Sequence, residues 1–186
     1  DIQRKYLNKI LENSKNLKDL INKLIEVSSL ESARSVIKLE ETNLKQLINE
    51  VISNYSTKFE LKGLELETNL EEVTAVVDEL RIRKAVSNLL DNAIKHTEDG
   101  VITVSLTNSD GFVEIIVEDT GEGMSQDELE LIQKTASEIK VEETKMYTGL
   151  KLGLLLVKLV VKAHDGELLI DSEKGEGSKF IIKIPE

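Results

Sequence analysis

Asn88, Asn92 and Lys95 recur at i, i+4 and i+7, beside the apolar Leu89, Leu90, Ala93 and Ile94. On a helix these three polar residues share a face. Two amides and an ammonium are costly to bury without partners. An amide oxygen can ligate a hard cation such as Mg²⁺, which prefers oxygen and keeps several waters. The lysine can meet phosphate oxygens. The plainer reading of the same spacing is a pair of capping or surface amides. A second cluster, Asp119-Thr120-Gly121-Glu122-Gly123, follows directly on an apolar stretch. Glycines leave backbone N–H groups uncovered and let a ligand approach closely. A carboxylate at a strand end accepts a hydrogen bond from an exocyclic amine, such as N6 of adenine, and repels the O6 acceptor of guanine. Any exit from a strand into a turn can look similar. The third cluster is Gly149-Leu150-Lys151-Leu152-Gly153-Leu154. A glycine-marked helix N-terminus is a natural phosphate site, through free N–H groups and the helix dipole. It is also how a helix with packing glycines begins.

Composition narrows the chemistry. The 186 residues suit one ordinary domain and an appendage. Lys and Arg number 24 against 35 Asp and Glu, a formal net charge of -11. Phosphate contacts along a nucleic acid need clustered cations, so no nucleic-acid partner is expected. An acidic surface does not bar a single nucleotide. The absence of Cys excludes disulfides, thiolate metal sites and cysteine nucleophiles. No apolar run approaches the ~18 residues that suggest a membrane helix. The charged opening Asp1-Ile2-Gln3-Arg4-Lys5 is unlike a signal peptide. It carries no cap before the helical periodicity starts, so a longer parent protein is expected.

The elements that must position these residues follow from periodicity. Residues 2–31 form one long helix, with Ile10, Leu17 and Leu24 repeating every seven residues beside Tyr6, Leu20 and Val27. That seam suits a bundle or coiled coil, and an ordinary amphipathic helix is the alternative. Residues 33–42 lose the period and read as a linker. A second helix is expected from Asn43 to about Lys62-Gly63, with Leu44, Leu47, Ile48, Val51, Ile52 and Tyr55 on one face. Short strands follow near 64–67 and 75–77, then a helix over 79–97. Ile102, Val104 and Leu106 alternate with Thr103, Ser105 and Thr107 as a half-buried strand, and the next strand spans 112–118. Residues 124–148 are polar and weakly patterned. A helix over 150–163 and strands at 167–171 and 178–184 complete the chain. The sum is an α+β two-layer sandwich, a mixed and mostly antiparallel sheet with helices on one face, plus the long N-terminal helix.

Order turns three modest signals into one. The run from Asn88 to Thr97 resembles the N box of sensor histidine kinases, and Asp119 to Met124 resembles their first glycine box. Gly149 to Leu154, followed by Val157-Lys158, is similar to the second glycine box. His164-Asp165-Gly166 and the segment Gly175 to Phe180, closing at Ile184-Pro185, match the end of the domain. The resemblance covers about residues 40–186. It implies the Bergerat ATP-binding fold, with ATP and Mg²⁺ as the cofactors. Carried over residue by residue, Asn92 would ligate Mg²⁺, while Asn88 and Lys95 would contact phosphates or metal-bound water. Asp119 would hold adenine N6, and Gly121 and Gly123 would shape its pocket. Gly149, Lys151, Leu152 and Gly153 would frame the phosphate end. Related hydrolytic ATPases carry a water-activating glutamate where this chain has Asn88, so transfer to another nucleophile is implied rather than hydrolysis. The family's acceptor is a histidine imidazole.

Residues 1–32 look like the second helix of the family's dimerisation stalk, running through a linker at 33–42 into an ATP-binding catalytic domain at 43–186. The stalk helix that bears the acceptor is absent, and the chain's two histidines, His96 and His164, read as structural or surface groups. Self-phosphorylation by this chain alone is therefore not expected. The implied partners are the acceptor-bearing stalk helix, a response-regulator receiver domain, and a second copy in a full-length homodimer. Without its hairpin mate the N-terminal helix either self-associates through Leu17, Leu20 and Leu24 or lies exposed. A cytoplasmic location is implied, with membrane tethering of the full protein left open. Two departures bear on the lid. The stretch from Leu129 to Tyr147 has no Phe, with Leu131-Ile132 as a partial stand-in and Lys134, Lys140 or Lys145 as its basic residue. Lys151 replaces a glycine. Two other readings share these residues: a serine kinase of the anti-sigma type, and a degenerate scaffold with a weak nucleotide site.

Overall fold

Alternate residues of three consecutive sheet partners are buried, as a two-residue side-chain period requires of a sheet covered on one face. They are Ile102, Val104 and Leu106, then Val113, Ile115 and Val117, then Phe180, Ile182 and Ile184. The computed structural model describes residues 2–31, 37–137 and 150–186. Its elements are α1 (Ile2–Glu31), β1 (Glu40–Asn43), α2 (Leu44–Ser53), α3 (Ser56–Lys62), β2 (Glu65–Leu70), β3 (Thr74–Val77), α4 (Glu79–His96), β4 (Val101–Ser109), β5 (Phe112–Asp119), α5 (Gln126–Ser137), α6 (Leu150–Ala163), β6 (Glu167–Glu173) and β7 (Gly177–Pro185).

The main sheet has the order β2-β4-β5-β7-β6. Only β2 and β4 run parallel; the other three pairings are antiparallel. α4 and α6 pack on each other and against this sheet. Ile82, Val86, Leu89 and Leu90 of α4 and Leu156 and Val157 of α6 are within 1% of complete burial. Truncating one of the large ones to Ala would cost ~2–5 kcal/mol. The expected α+β sandwich, its mostly antiparallel sheet and its N-terminal helix are all present.

Three elements differ from expectation. The helix expected over 43–62 is two helices, because Tyr55 turns inward between them. Its ring is buried and its hydroxyl donates to Ser87 O of α4 at 3.0 Å. The end of the expected linker is strand β1, which pairs antiparallel with β3. The weakly patterned stretch after Met124 begins with a helix, α5. A capping box starts it, in which Ser125 N donates to Glu128 Oε2 at 2.9 Å and Glu128 N donates back to Ser125 Oγ at 3.4 Å.

Asp78 ties separate segments together. Its Oδ1 caps α4 by accepting from Arg81 N at 3.1 Å, and its Oδ2 accepts from Lys38 N, in the segment before β1, at 3.0 Å. Its own N–H donates to His164 Nε2 at 2.9 Å, at the far end of α6. In α1, Val27 is buried in the common core, whereas Tyr6, Ile10 and Leu17 are exposed. The side chains of Leu20 and Leu24 lie outside the described residues.

Candidate functional site

A cleft of about 190 Å³ opens between the C-terminal part of α4, the end of β5 and the β6–β7 turn. Asn92, His96, Asp119, Gly123, Met124, Leu154 and Phe180 are among its lining residues. Sites that enclose a drug-sized ligand run to roughly 300–1,000 Å³. This cleft therefore suits one ring system, with the remainder of a ligand extending along α4.

Asp119 ends β5 at the cleft floor and is only 5% exposed. Its Oδ1 accepts from Gly121 N at 2.9 Å. Burial pushes its carboxyl above the ordinary range, while the backbone N–H groups of Gly121 and Ser178 and the charge of His96 pull the other way. The Thr97 hydroxyl also favours the carboxylate, yet Oγ1 meets no partner at hydrogen-bonding geometry. The chain crosses itself closely here. A Cβ on Gly121 would overlap the His96 carbonyl oxygen, and one on Gly123 would overlap that of Glu173. Gly123 also sits at φ 60°. Only glycine fits where backbone meets backbone at such a φ.

Asn88 and Asn92 lie one turn apart on α4, as their spacing predicted. Asn88 is 8% exposed; its Nδ2 donates to Lys84 O at 2.9 Å, and its Oδ1 has no partner. Asn92 likewise has a buried amide end, Nδ2, without a partner. Which end of an amide is oxygen is set by its surroundings, and a cation would set it here. Two neutral amide oxygens fit Mg²⁺, whose charge the phosphates would balance. Among the described residues no cluster of three or more His, Cys, Asp or Glu could hold a metal ion. Lys95 is exposed on the same helix.

Gly153 lies in the first turn of α6, with its missing Cβ 3.0 Å from Asn88 Oδ1. The two helices thus bring the first and third sequence clusters together. Leu152 points into the core, and it is Leu154 that lines the cleft. Gly149, Lys140 and Lys145 lie outside the described residues, as do the side chains of Lys151 and Lys134.

Sequence reasoning missed several participants. His96 Nδ1 lies 2.6 Å from Glu122 Oε1, and Glu122 N donates to His96 O, which staples α4 to the glycine loop. Met124, Glu128, Lys174, Ser178 and Phe180 also line the cleft. Phe180 was readable as an inward strand position, whereas a pairing between residues 26 apart carries no local signal. His164 is buried, with Nδ1 2.7 Å from Val160 O and Nε2 on Asp78 N. Both of its ring nitrogens are engaged.

A family model described as histidine kinase-, DNA gyrase B- and HSP90-like ATPase matches residues 77–186. The chain is 32% identical over 192 aligned positions to the autoinducer 2 sensor kinase/phosphatase LuxQ of Vibrio cholerae, covering 100% of this chain and 22% of LuxQ. It is 29% identical to the sensor-like histidine kinase SenX3 of Mycolicibacterium smegmatis, covering 100% of this chain and 49% of SenX3. Full-length ShkA in complex with AMPPNP superposes with a TM-score of 0.80 at 27% identity, covering 100% of this chain and 39% of ShkA. Histidine kinase ThkA in complex with response regulator TrrA superposes with a TM-score of 0.75 at 25% identity, over 97% of this chain and 50% of ThkA. The chain spans about a fifth to a half of the length of these curated relatives.

Proposed function

Because this chain belongs to the histidine kinase-, DNA gyrase B- and HSP90-like ATPases, as the ATP-binding catalytic domain of a sensor histidine kinase, we propose that it binds Mg-ATP and donates the γ-phosphoryl group to a histidine on a partner stalk helix. One observation carries the reading. A single helix, α4, places an unsatisfied amide at the rim of a cleft whose floor is a buried carboxylate. Asp119 accepts the N6 amine of adenine. The triphosphate runs from that cleft toward Asn88, Lys95 and the first turn of α6.

In the transfer, the bond between the γ-phosphorus and the β–γ bridging oxygen breaks. A bond from an imidazole nitrogen to phosphorus forms, ADP leaves, and the imidazole gives up its proton. Mg²⁺, when bound, neutralises charge on the phosphate oxygens, and Asn92 with Asn88 are the residues that would hold it. The chain's own part is positioning and electrostatic stabilisation, the terms that dominate phosphoryl transfer. No carboxylate stands at position 88 to activate water, which favours transfer over hydrolysis. Glu122 engages His96, and His164 is buried, so the acceptor comes from elsewhere. A receiver domain of a response regulator is the downstream partner this reading implies, and α1 is the chain's share of the stalk.

Calorimetric titration with Mg-ATP and Mg-GTP tests the reading. ATP is expected to bind in the micromolar to low-millimolar range and GTP not at all. Adding an acceptor histidine helix should then yield an acid-labile, base-stable phosphoprotein. Binding of neither nucleotide would sink the proposal and favour a scaffold role.

A further inference from the structure

The first turn of α6 faces a group from an unexpected quarter. The ideal Cβ position on Gly153 lies 3.0 Å from Asn88 Oδ1 and 3.7 Å from Lys23 Nζ. Lys23 belongs to α1, which lies along α6. Val27, one turn further on the same face of α1, is 3% exposed and anchors that contact. α1 therefore brings one apolar anchor and one ammonium to α6. The ammonium arrives at the end of the helix where backbone N–H groups have no helical partners. A cation beside the positive end of a helix is unfavourable by itself. An anion seated between them reverses the sign. Beside that spot Asn88, 8% exposed, holds out an unpartnered Oδ1.

We propose that Lys23 is a stalk-borne ligand of the nucleotide's terminal phosphates. The polyphosphate is clamped between the first turn of α6 and Lys23, with the Asn88-bound cation alongside. Nucleotide binding thereby fastens α1 to α6, and loss of the terminal phosphate loosens it. This deepens the Mg-ATP reading and rests on it.

The test is calorimetric titration of Mg-AMPPNP and Mg-ADP into the wild-type chain, Lys23→Gln and Lys23→Arg, at two salt concentrations. Lys23→Gln is expected to weaken AMPPNP at least fivefold and ADP less than twofold. Lys23→Arg should stay within twofold of wild type. The wild type should lose AMPPNP affinity with salt more steeply than Lys23→Gln does. Amide exchange across residues 21–27 should slow on adding AMPPNP in the wild type and not in Lys23→Gln, a response a merely structural lysine would not give. Equal AMPPNP affinity in wild type and Lys23→Gln overturns the inference and leaves the nucleotide reading standing. An equal loss for AMPPNP and ADP, with a lower melting temperature, assigns Lys23 to packing and overturns it as well. If the wild type binds neither nucleotide, the underlying reading fails first.

Discussion

The two ends of the site are built on opposite principles. At the Asp119 end the backbone is locked before any ligand arrives. Gly121 N is bonded to Asp119 Oδ1, Glu122 N to His96 O, Gly175 N to Glu122 O, and Met124 N to Ser172 Oγ. At the Asn88 end the polar groups wait: two amide ends are buried without partners and Lys95 stands in solvent. A base is flat, uncharged and always the same, so a rigid slot can be pre-formed for it. A magnesium triphosphate brings its own charge and water. Groups already satisfied by the protein would have to be prised apart to receive it.

The comparison breaks most visibly at Gly123. Gly123→Ala drives a Cβ into the Glu173 carbonyl at a φ of 60°. It should cost about 2–4 kcal/mol of stability and abolish measurable ATP binding, as melting and calorimetry on the same sample would show. Next comes Asn92→Ala, which removes an unsatisfied amide and so should leave the melting temperature unchanged or raised. Mg-ATP affinity should fall by at least tenfold, ~1.4 kcal/mol, and adding Mg²⁺ should no longer improve nucleotide binding. A large loss of stability instead would show that the amide is structural.

Asp119→Asn sharpens the contrast through its pH dependence. Burial raises the folded carboxyl's pKa. Its proton therefore stabilises the fold fully below the ordinary carboxylate range, and that contribution is lost as pH rises through the raised value. Above that window the ionised group is a burden, so the Asn variant should melt higher than wild type near neutral pH and lose the advantage in acid. Its ATP affinity near neutral pH should nonetheless fall about tenfold, ~1.4 kcal/mol. Wild-type affinity should begin to fall on acidification at a higher pH than an ordinary carboxylate would dictate. The mildest change is Gly153→Ala. Its Cβ meets only side-chain ends, Asn88 Oδ1 at 3.0 Å and Lys23 Nζ at 3.7 Å, and Ala gains ~1 kcal/mol over Gly within a helix. Stability should rise or hold, while Mg-ATP affinity drops a few-fold because Asn88 Oδ1 is displaced.

The helices and strands that build the site were legible because their periods are strong. α4, α6, β4 and β5 lie within about two residues of the positions the sequence implied. β1 was hidden by brevity: its four residues bury only Thr42, too few for alternation to register. α5 has a diluted apolar face, and its start was written in Ser125 and Glu128 rather than in any periodicity. The break before α3 depends on a hydroxyl reaching Ser87, 32 positions away, and no window along the chain contains both. The same holds for the site. Asn88, Asn92, Asp119, Gly121, Gly123 and Gly153, which the proposed nucleotide site draws on, stood out by local spacing. Lys23 joins them only because two helices distant in sequence lie side by side.

The grip on Asp78 has a mechanical consequence. It holds the segment before β1, the start of α4 and the end of α6 through three hydrogen bonds. Asn92 lies fourteen residues further along the same stiff rod, roughly 21 Å away at ~1.5 Å per residue. A tilt of about 3° at the pivot thus swings that amide by about 1 Å, a displacement that can cost on the order of a hundredfold in rate. Lys38 sits at the short arm of a lever whose long arm ends at Asn92.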